Sequence, residues 1–115
     1  MKKETRVEVY NKYGGHCAYC GKKIEYKDMQ VDHIKAKKGV ERGTDDIENL
    51  NPSCRACNFR KGTMSIGQFR KEIVRQCEGI VKRSFQVRQS IDYGLIKVDI
   101  HPILFYFEKH DKENG

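Results

Sequence analysis

Two C-x-x-C units, Cys17-Ala18-Tyr19-Cys20 and Cys54-Arg55-Ala56-Cys57, constrain this chain more than any other feature of its sequence. The spacing lets both sulfurs of a pair turn onto one ion, so the two pairs together predict a closed tetrahedral four-cysteine site of the kind that holds structural zinc. A closed set leaves no open position, which makes the expected zinc an element of the fold rather than a reaction centre. The pairs lie 33 residues apart, more than the roughly 15 to 20 of many zinc ribbons. An inserted element must therefore separate the two knuckles, and Met29 to Gly43 supplies it. His16 is surplus to a full ligand set and reads as an exposed or packing histidine.

Composition agrees with a metal-supported fold. The chain has 115 residues, enough for one domain spanning 1-115, but only 37% are hydrophobic against 34% charged. Such a core is thin for that length. The formal charge of +7 favours a polyanionic partner, nucleic acid above all. The surplus is concentrated early: through Thr63 there are 14 Lys and Arg against 9 Asp and Glu. No run approaches the ~18 apolar residues of a membrane span, and Met1-Lys2-Lys3-Glu4 leads into no signal-peptide core. A cytoplasmic chain with no membrane partner is expected, and in that reducing compartment paired cysteines point to metal rather than disulfides.

Periodicity places the motifs on elements. Thr5 to Tyr13 predicts a short helix ended by Gly14-Gly15. Met29 to Ile34 has strand character, and Lys37-Lys38-Gly39 with Gly43-Thr44-Asp45-Asp46 adds loop chemistry, together a hairpin or long β-loop. Asn51-Pro52 offers a helix cap and first-turn proline ahead of Ser53 to Lys61, with Gly62 as the stop. Ser65-Ile66-Gly67-Gln68 fits a capping box, and Ile66, Phe69, Ile73, Cys77 and Ile80 form the apolar stripe of a helix reaching about Val81, with Cys77 in the core. Beyond it, alternation at Phe85, Val87, Gln89 and Ile91 and at Ile96, Val98 and Ile100 predicts two strands, with a helix from Ser84 to Asp92 as the competing reading. Ile103 to Phe107 predicts a further strand, and Lys109 to Gly115 a frayed tail. His101 and His110 read as loop and tail residues. The fold class is α+β: a core at 5-62, an extension of helix and strands at 63-108, and the tail.

Chemistry-bearing residues surround the knuckles. His33 is a candidate general base near neutral pH. Asp32 offers a hard carboxylate oxygen and Asn58 an amide oxygen, a donor set suited to Mg²⁺ or Mn²⁺ beside a phosphate. In a regular strand Asp32 and His33 face opposite sides, so joint service at one phosphate requires the strand to end or bend there. Cys57 and Asn58 stand four and three residues before Lys61, which lets one helix face carry zinc, catalytic metal and a cation.

The order C-x-x-C, Asp-His, Asn-Leu, C-x-x-C-Asn-x-x-Lys-Gly resembles the HNH endonucleases over residues 5 to 62. The resemblance implies a ββα-metal fold with His33 as the general base and Asn49 as the central asparagine that orients the base-bearing loop. Asn58 stands at the final motif position, a familiar asparagine variant, and shares the divalent metal with Asp32. The implied reaction is hydrolysis of DNA phosphodiester bonds, leaving 5′-phosphate and 3′-hydroxyl ends. Double-stranded DNA is the expected substrate, with Lys61, Arg60, Arg55, Lys35, Lys37 and Lys38 as backbone-phosphate contacts, which position a duplex without reading it. A homodimer or a recruiting protein partner stays open. After residue 62 the likeness weakens to the tails of phage or mobile-element HNH proteins.

Two other readings use the same residues. A non-catalytic zinc-finger binding module needs the four cysteines but not Asp32 or His33. A zinc-stabilised adaptor binds protein partners through residues 64 to 107.

Overall fold

The computed structural model describes residues 1–38 and 42–114. Gly39, read above as a loop residue, lies outside them. The chain gathers into two compact units, Met1–Ile66 with Leu104–Gly115, and Gly67–Ile103. No helix among the described residues is long and apolar enough to cross a membrane.

The first unit opens with α1, Lys3–Asn11. Val9 is its one buried residue, and it joins Ile24, Met29 and Leu50 in a small core edged by Tyr10, Val31, Ile47 and Cys54. With so few apolar residues, long cationic side chains fasten the helix. Arg6 donates to the carbonyls of Tyr26 and Met29 at 3.0 and 2.8 Å, and Lys12 to those of Ile47 and Leu50 at 3.0 and 2.7 Å. These bonds satisfy loop carbonyls that regular structure would otherwise have to pair.

Strand β1, Gln30–His33, pairs antiparallel with β2, Leu50–Ser53, in the register Gln30↔Ser53 to His33↔Leu50. The expected helix start at Asn51-Pro52 is thus corrected, since both residues belong to β2. Proline biases the residue before it toward extended backbone, and a two-stranded ribbon tolerates its missing N–H. The Pro52 carbonyl is used, accepting from Ala18 N–H at 2.8 Å and tying the first knuckle to the strand. Helix α2, Arg55–Lys61, starts three residues later than Asn51-Pro52 implied, capped by Cys54, whose sulfur accepts the Cys57 N–H at 3.4 Å. Gly62, with φ +52°, ends it in a conformation that L side chains rarely adopt.

The chain's last segment corrects two expectations. Residues 103–105 form no strand, and residues 109–114 of the segment read as a frayed tail lie in a helix, α5, Tyr106–Asn114 (numbered after α3 and α4 below). A capping interaction explains it: Glu108 Oε1 reaches back to accept the Phe105 N–H at 2.9 Å. The next two N–H groups, orphans at a helix start, donate to the first knuckle: Tyr106 to Tyr19 O at 3.1 Å and Phe107 to Ala18 O at 2.8 Å. Phe105 meets the Tyr19 ring edge-on at 5.3 Å, and Tyr13 meets His110 at 5.1 Å. His16 stacks on Tyr106 and bonds the Gly21 carbonyl, a packing histidine.

The second unit holds α3, Ile66–Arg83, and α4, Phe85–Asp92. Here too the expected strands are corrected. Ser84 caps α4 by accepting the Val87 N–H at 3.2 Å, and Ser90 bonds back to the Gln86 carbonyl one turn earlier. Local capping outweighs an alternation over residues 85–91 that has no partner strand, for residues 95–100 form no regular structure. The α3 stripe is buried at Phe69, but Cys77 and Ile80 are exposed, so Cys77 is not the core residue its spacing suggested. A unit confined to residues 67–103 offers too little chain to cover both ends of so long a helix.

Phe105 is 2% exposed against the knuckle. Phe105→Ala is expected to destabilise the first unit by about 3–5 kcal/mol. Urea denaturation followed by circular dichroism checks this, and a change below about 1 kcal/mol would mean that α5 does not brace the knuckle.

Candidate active site

The four cysteines of the two pairs converge. The sulfurs of Cys17, Cys20, Cys54 and Cys57 all lie within 4.8 Å of one another, the one such group of potential metal ligands among the described residues. Cys20 and Cys54 Sγ are 3.9 Å apart, close to the edge of about 3.8 Å that Zn–S bonds of about 2.3 Å give a tetrahedron. Acid–base behaviour agrees. Hydrogen bonding from Cys57 brings the Cys17 thiol down to about 4, the same contact holds Cys57 up, and burial raises Cys20.

Above the knuckle the hairpin and α2 frame an open cleft of about 290 Å³, lined among others by Asp32, His33, Asn58, Lys37, Lys38 and Thr63. β1 ends at His33, so the two neighbours that a continuing strand would send to opposite sides reach one cleft. Asp32 is 4% exposed. It accepts from the Tyr19 hydroxyl and pairs with Lys61 Nζ at 3.2 Å. Burial raises its pKa, and the Tyr19 hydroxyl and Lys61 ammonium oppose that rise. The carboxylate keeps lone pairs beyond those two donors.

Lys61 corrects an expectation. Read as a phosphate contact, it is fully buried, donating to Asp32 and, at 2.9 Å, to the His33 carbonyl. It serves the cleft from below, as the counter-charge of Asp32. The other predicted cations, Arg55, Arg60, Lys35, Lys37 and Lys38, are exposed. Lys35 borders a neighbouring cleft of about 370 Å³ with Arg42 and Asn49, and Lys37 is engaged with Asp45 at 2.8 Å.

His33 is half-buried, with Nε2 2.8 Å from Asp45 Oδ1. Hydrogen bonds from Lys37 and then His33 hold the Asp45 carboxyl below the usual carboxylate range. Sequence reasoning treated Asp45 as loop chemistry, and it missed Tyr19, whose place between two ligand cysteines was the available signal. Asn49 stands in a short 3-10 turn, Ile47–Asn49. Its amide clamps the loop after β1, accepting from Lys35 N–H at 2.8 Å and donating to the carbonyls of Lys35 and Thr44 at 3.0 and 2.8 Å. The loop passes so close that a Cβ on Gly43 would lie 1.7 Å from the Lys35 carbonyl oxygen.

An antiparallel ribbon feeding a short helix, with four clustered cysteines at its base, defines a ββα-metal fold. Residues 17–63 match the family model described as HNH endonuclease. The chain is similar to the CRISPR-associated endonuclease Cas9 of Corynebacterium diphtheriae, 35% identical over 57 residues, or 50% of this chain. It is similar as well to the crystal structure of the Type II-C Cas9 enzyme from Actinomyces naeslundii, with a TM-score of 0.51 and 26% identity over 65% of this chain. The chain spans 5% of the first relative's length and 10% of the second's.

Removing the Lys61 charge strands a buried carboxylate. Lys61→Met is expected to cost about 3–5 kcal/mol, whereas Arg60→Met, at an exposed neighbour, stays within about 0.5 kcal/mol. Paired urea titrations check this, and equal effects would show that Asp32 needs no counter-charge.

Proposed function

We propose that this chain is a divalent-metal-dependent endonuclease that hydrolyses DNA phosphodiester bonds, with zinc as a structural element. The observation that carries the reading is the meeting of Asp32, His33 and Asn58 on one cleft bordered by Lys37 and Lys38. Asp32 and Asn58 would hold Mg²⁺ or Mn²⁺. The Asn58 side chain makes no hydrogen bond among the described residues, so its amide oxygen is available. A divalent ion there supplies electrostatic stabilisation of charge on the phosphate and the leaving oxygen.

The chain's own groups do the rest. His33 takes the proton of the attacking water. Asp45 at Nε2 fixes the ring and leaves the other nitrogen as the acceptor, the arrangement in which a carboxylate orients a base. Asn49 holds the loop that carries Lys37 and Asp45. Lys35, Lys37, Lys38, Arg55 and Arg60 surround the cleft as phosphate contacts, and the net charge of +7 suits a duplex held by its backbone. Cys17, Cys20, Cys54 and Cys57 bind the structural zinc, and the chain works in the cytoplasm. Both relatives are much longer than this chain, and one is named an endonuclease.

Zinc removal is expected to unfold the first unit, because the apolar core that would have to hold it alone is small. Elemental analysis should return one zinc per chain, and a metal-free preparation with unchanged circular dichroism and melting would refute a structural zinc.

His33→Ala is expected to cut plasmid cleavage in Mg²⁺ or Mn²⁺ by about 10²- to 10⁴-fold with zinc content and DNA binding retained. Asp32→Asn loses cleavage through weaker metal binding, so that excess metal recovers part of it. Wild-type cleavage by folded, zinc-loaded His33→Ala would remove His33 from the mechanism, whereas DNA binding without cleavage by the wild-type chain would leave the non-catalytic binding module as the better reading.

A further inference from the structure

Phe59 has the most exposed side chain of the large hydrophobics described, at 81%. It follows Asn58, which lines the cleft, and precedes the exposed Arg60. On α2 it lies one turn after the exposed Arg55. The ring makes no aromatic or cation–π contact among the described residues. An apolar ring in water, next in the helix to a residue of the candidate site and accompanied by two exposed arginines, matches no need of the fold, since helix α2 is already fixed by its Cys54 cap, Gly62 stop and buried Lys61.

We infer that Phe59 stacks on an unpaired nucleobase next to the scissile phosphate, while Arg55 and Arg60 hold the phosphates on either side. The inference rests on the nuclease reading above and adds a substrate preference to it. The surrounding charge selects the occupant: a protein or lipid ligand for this ring would have to be both apolar and strongly anionic, whereas a nucleotide presents a flat apolar base on an anionic backbone. Base faces inside a paired duplex are covered by their neighbours, so the ring can meet one only after unstacking. An unpaired base is already available, and stacking on an aromatic ring is indifferent to its identity. The expected preference is thus for duplex DNA with unpaired nucleotides over the same duplex fully paired, without a strong sequence requirement.

The test uses the full zinc-loaded chain carrying His33→Ala, so that substrates survive, and compares a short fully paired duplex with the same duplex bearing a small bulge that contains 2-aminopurine. The bulged duplex should bind several-fold tighter, with its fluorescence quenched on binding. Adding Phe59→Ala should weaken bulge binding by about 5- to 100-fold, abolish the quenching and bring the two affinities together. Phe59→Trp should retain the preference. Zinc content and circular dichroism should be unchanged in both, as befits so exposed a residue. If Phe59→Ala leaves the bulge preference and quenching intact, Phe59 does not stack on a base and serves some other partner, while the nuclease reading stands. If the chain carrying wild-type Phe59 binds neither duplex, the nuclease reading itself falls, and this inference with it.

Discussion

Four sulfurs within 4.8 Å of each other tie together the two stretches of chain on which the first unit is built. Cys17 and Cys20 form the knuckle after α1, and Cys54 and Cys57 begin α2. Cys54 does two things at once, since the same sulfur that joins the cluster caps the helix. A helix of only seven residues would not persist by its own propensity. Its start is set by the cluster and its end by Gly62, so the direction in which Asn58 and Phe59 leave it is decided at the cysteine end.

From the knuckle the order passes upward through one residue. Tyr19, between the two cysteines of the first pair, gives its backbone carbonyl to α5 and its hydroxyl to Asp32. Asp32 pairs with Lys61, which belongs to α2 and so returns to Cys57 four residues earlier. The result is a closed circuit from cluster to hydroxyl to carboxylate to ammonium and back to cluster. A buried ion pair of this kind contributes little net stability, because desolvation offsets most of the attraction. Its effect is positional. Breaking it leaves a carboxylate in a poor environment, so the side chains beside the cleft are held to one arrangement.

The parts legible in the sequence are those where residue chemistry leaves few alternatives. Paired cysteines must converge on something, Asp-His before a polar loop must end a strand, and Gly62 must end a helix, and each is found where its neighbours imply. What escaped was decided over distance. Lys61 looks like any surface cation until the fold buries it against a residue 29 positions away. Asp45 becomes the partner of His33 where Asn49 ties Lys35 to Thr44. Helix α4 was the weaker reading because an alternation of apolar residues mimics a strand, and α5 was hidden because an unbroken apolar run followed by charges reads as a strand and a tail; each is settled by a single capping side chain, Ser84 in one case and Glu108 in the other. Capping is local and was visible in principle, but its weight against periodicity depends on whether a partner strand exists, which a local pattern does not reveal.

The position of α5 bears on how the matched segment should be understood. The HNH match ends at residue 63, yet the first unit does not, because residues 104–115 return to it. Two helix-start N–H groups and a set of aromatic rings close over the knuckle, covering Tyr13 and Tyr19. Tyr19 could not sit 3% exposed, in contact with Asp32, if that face were open to water. A segment cut at residue 63 would keep every motif residue and still lose the surroundings that orient Asp32. The matched segment therefore brings Asp32, His33 and Asn58 to one cleft, while part of the apolar shell behind Tyr19 and Asp32 is supplied by residues 104–114.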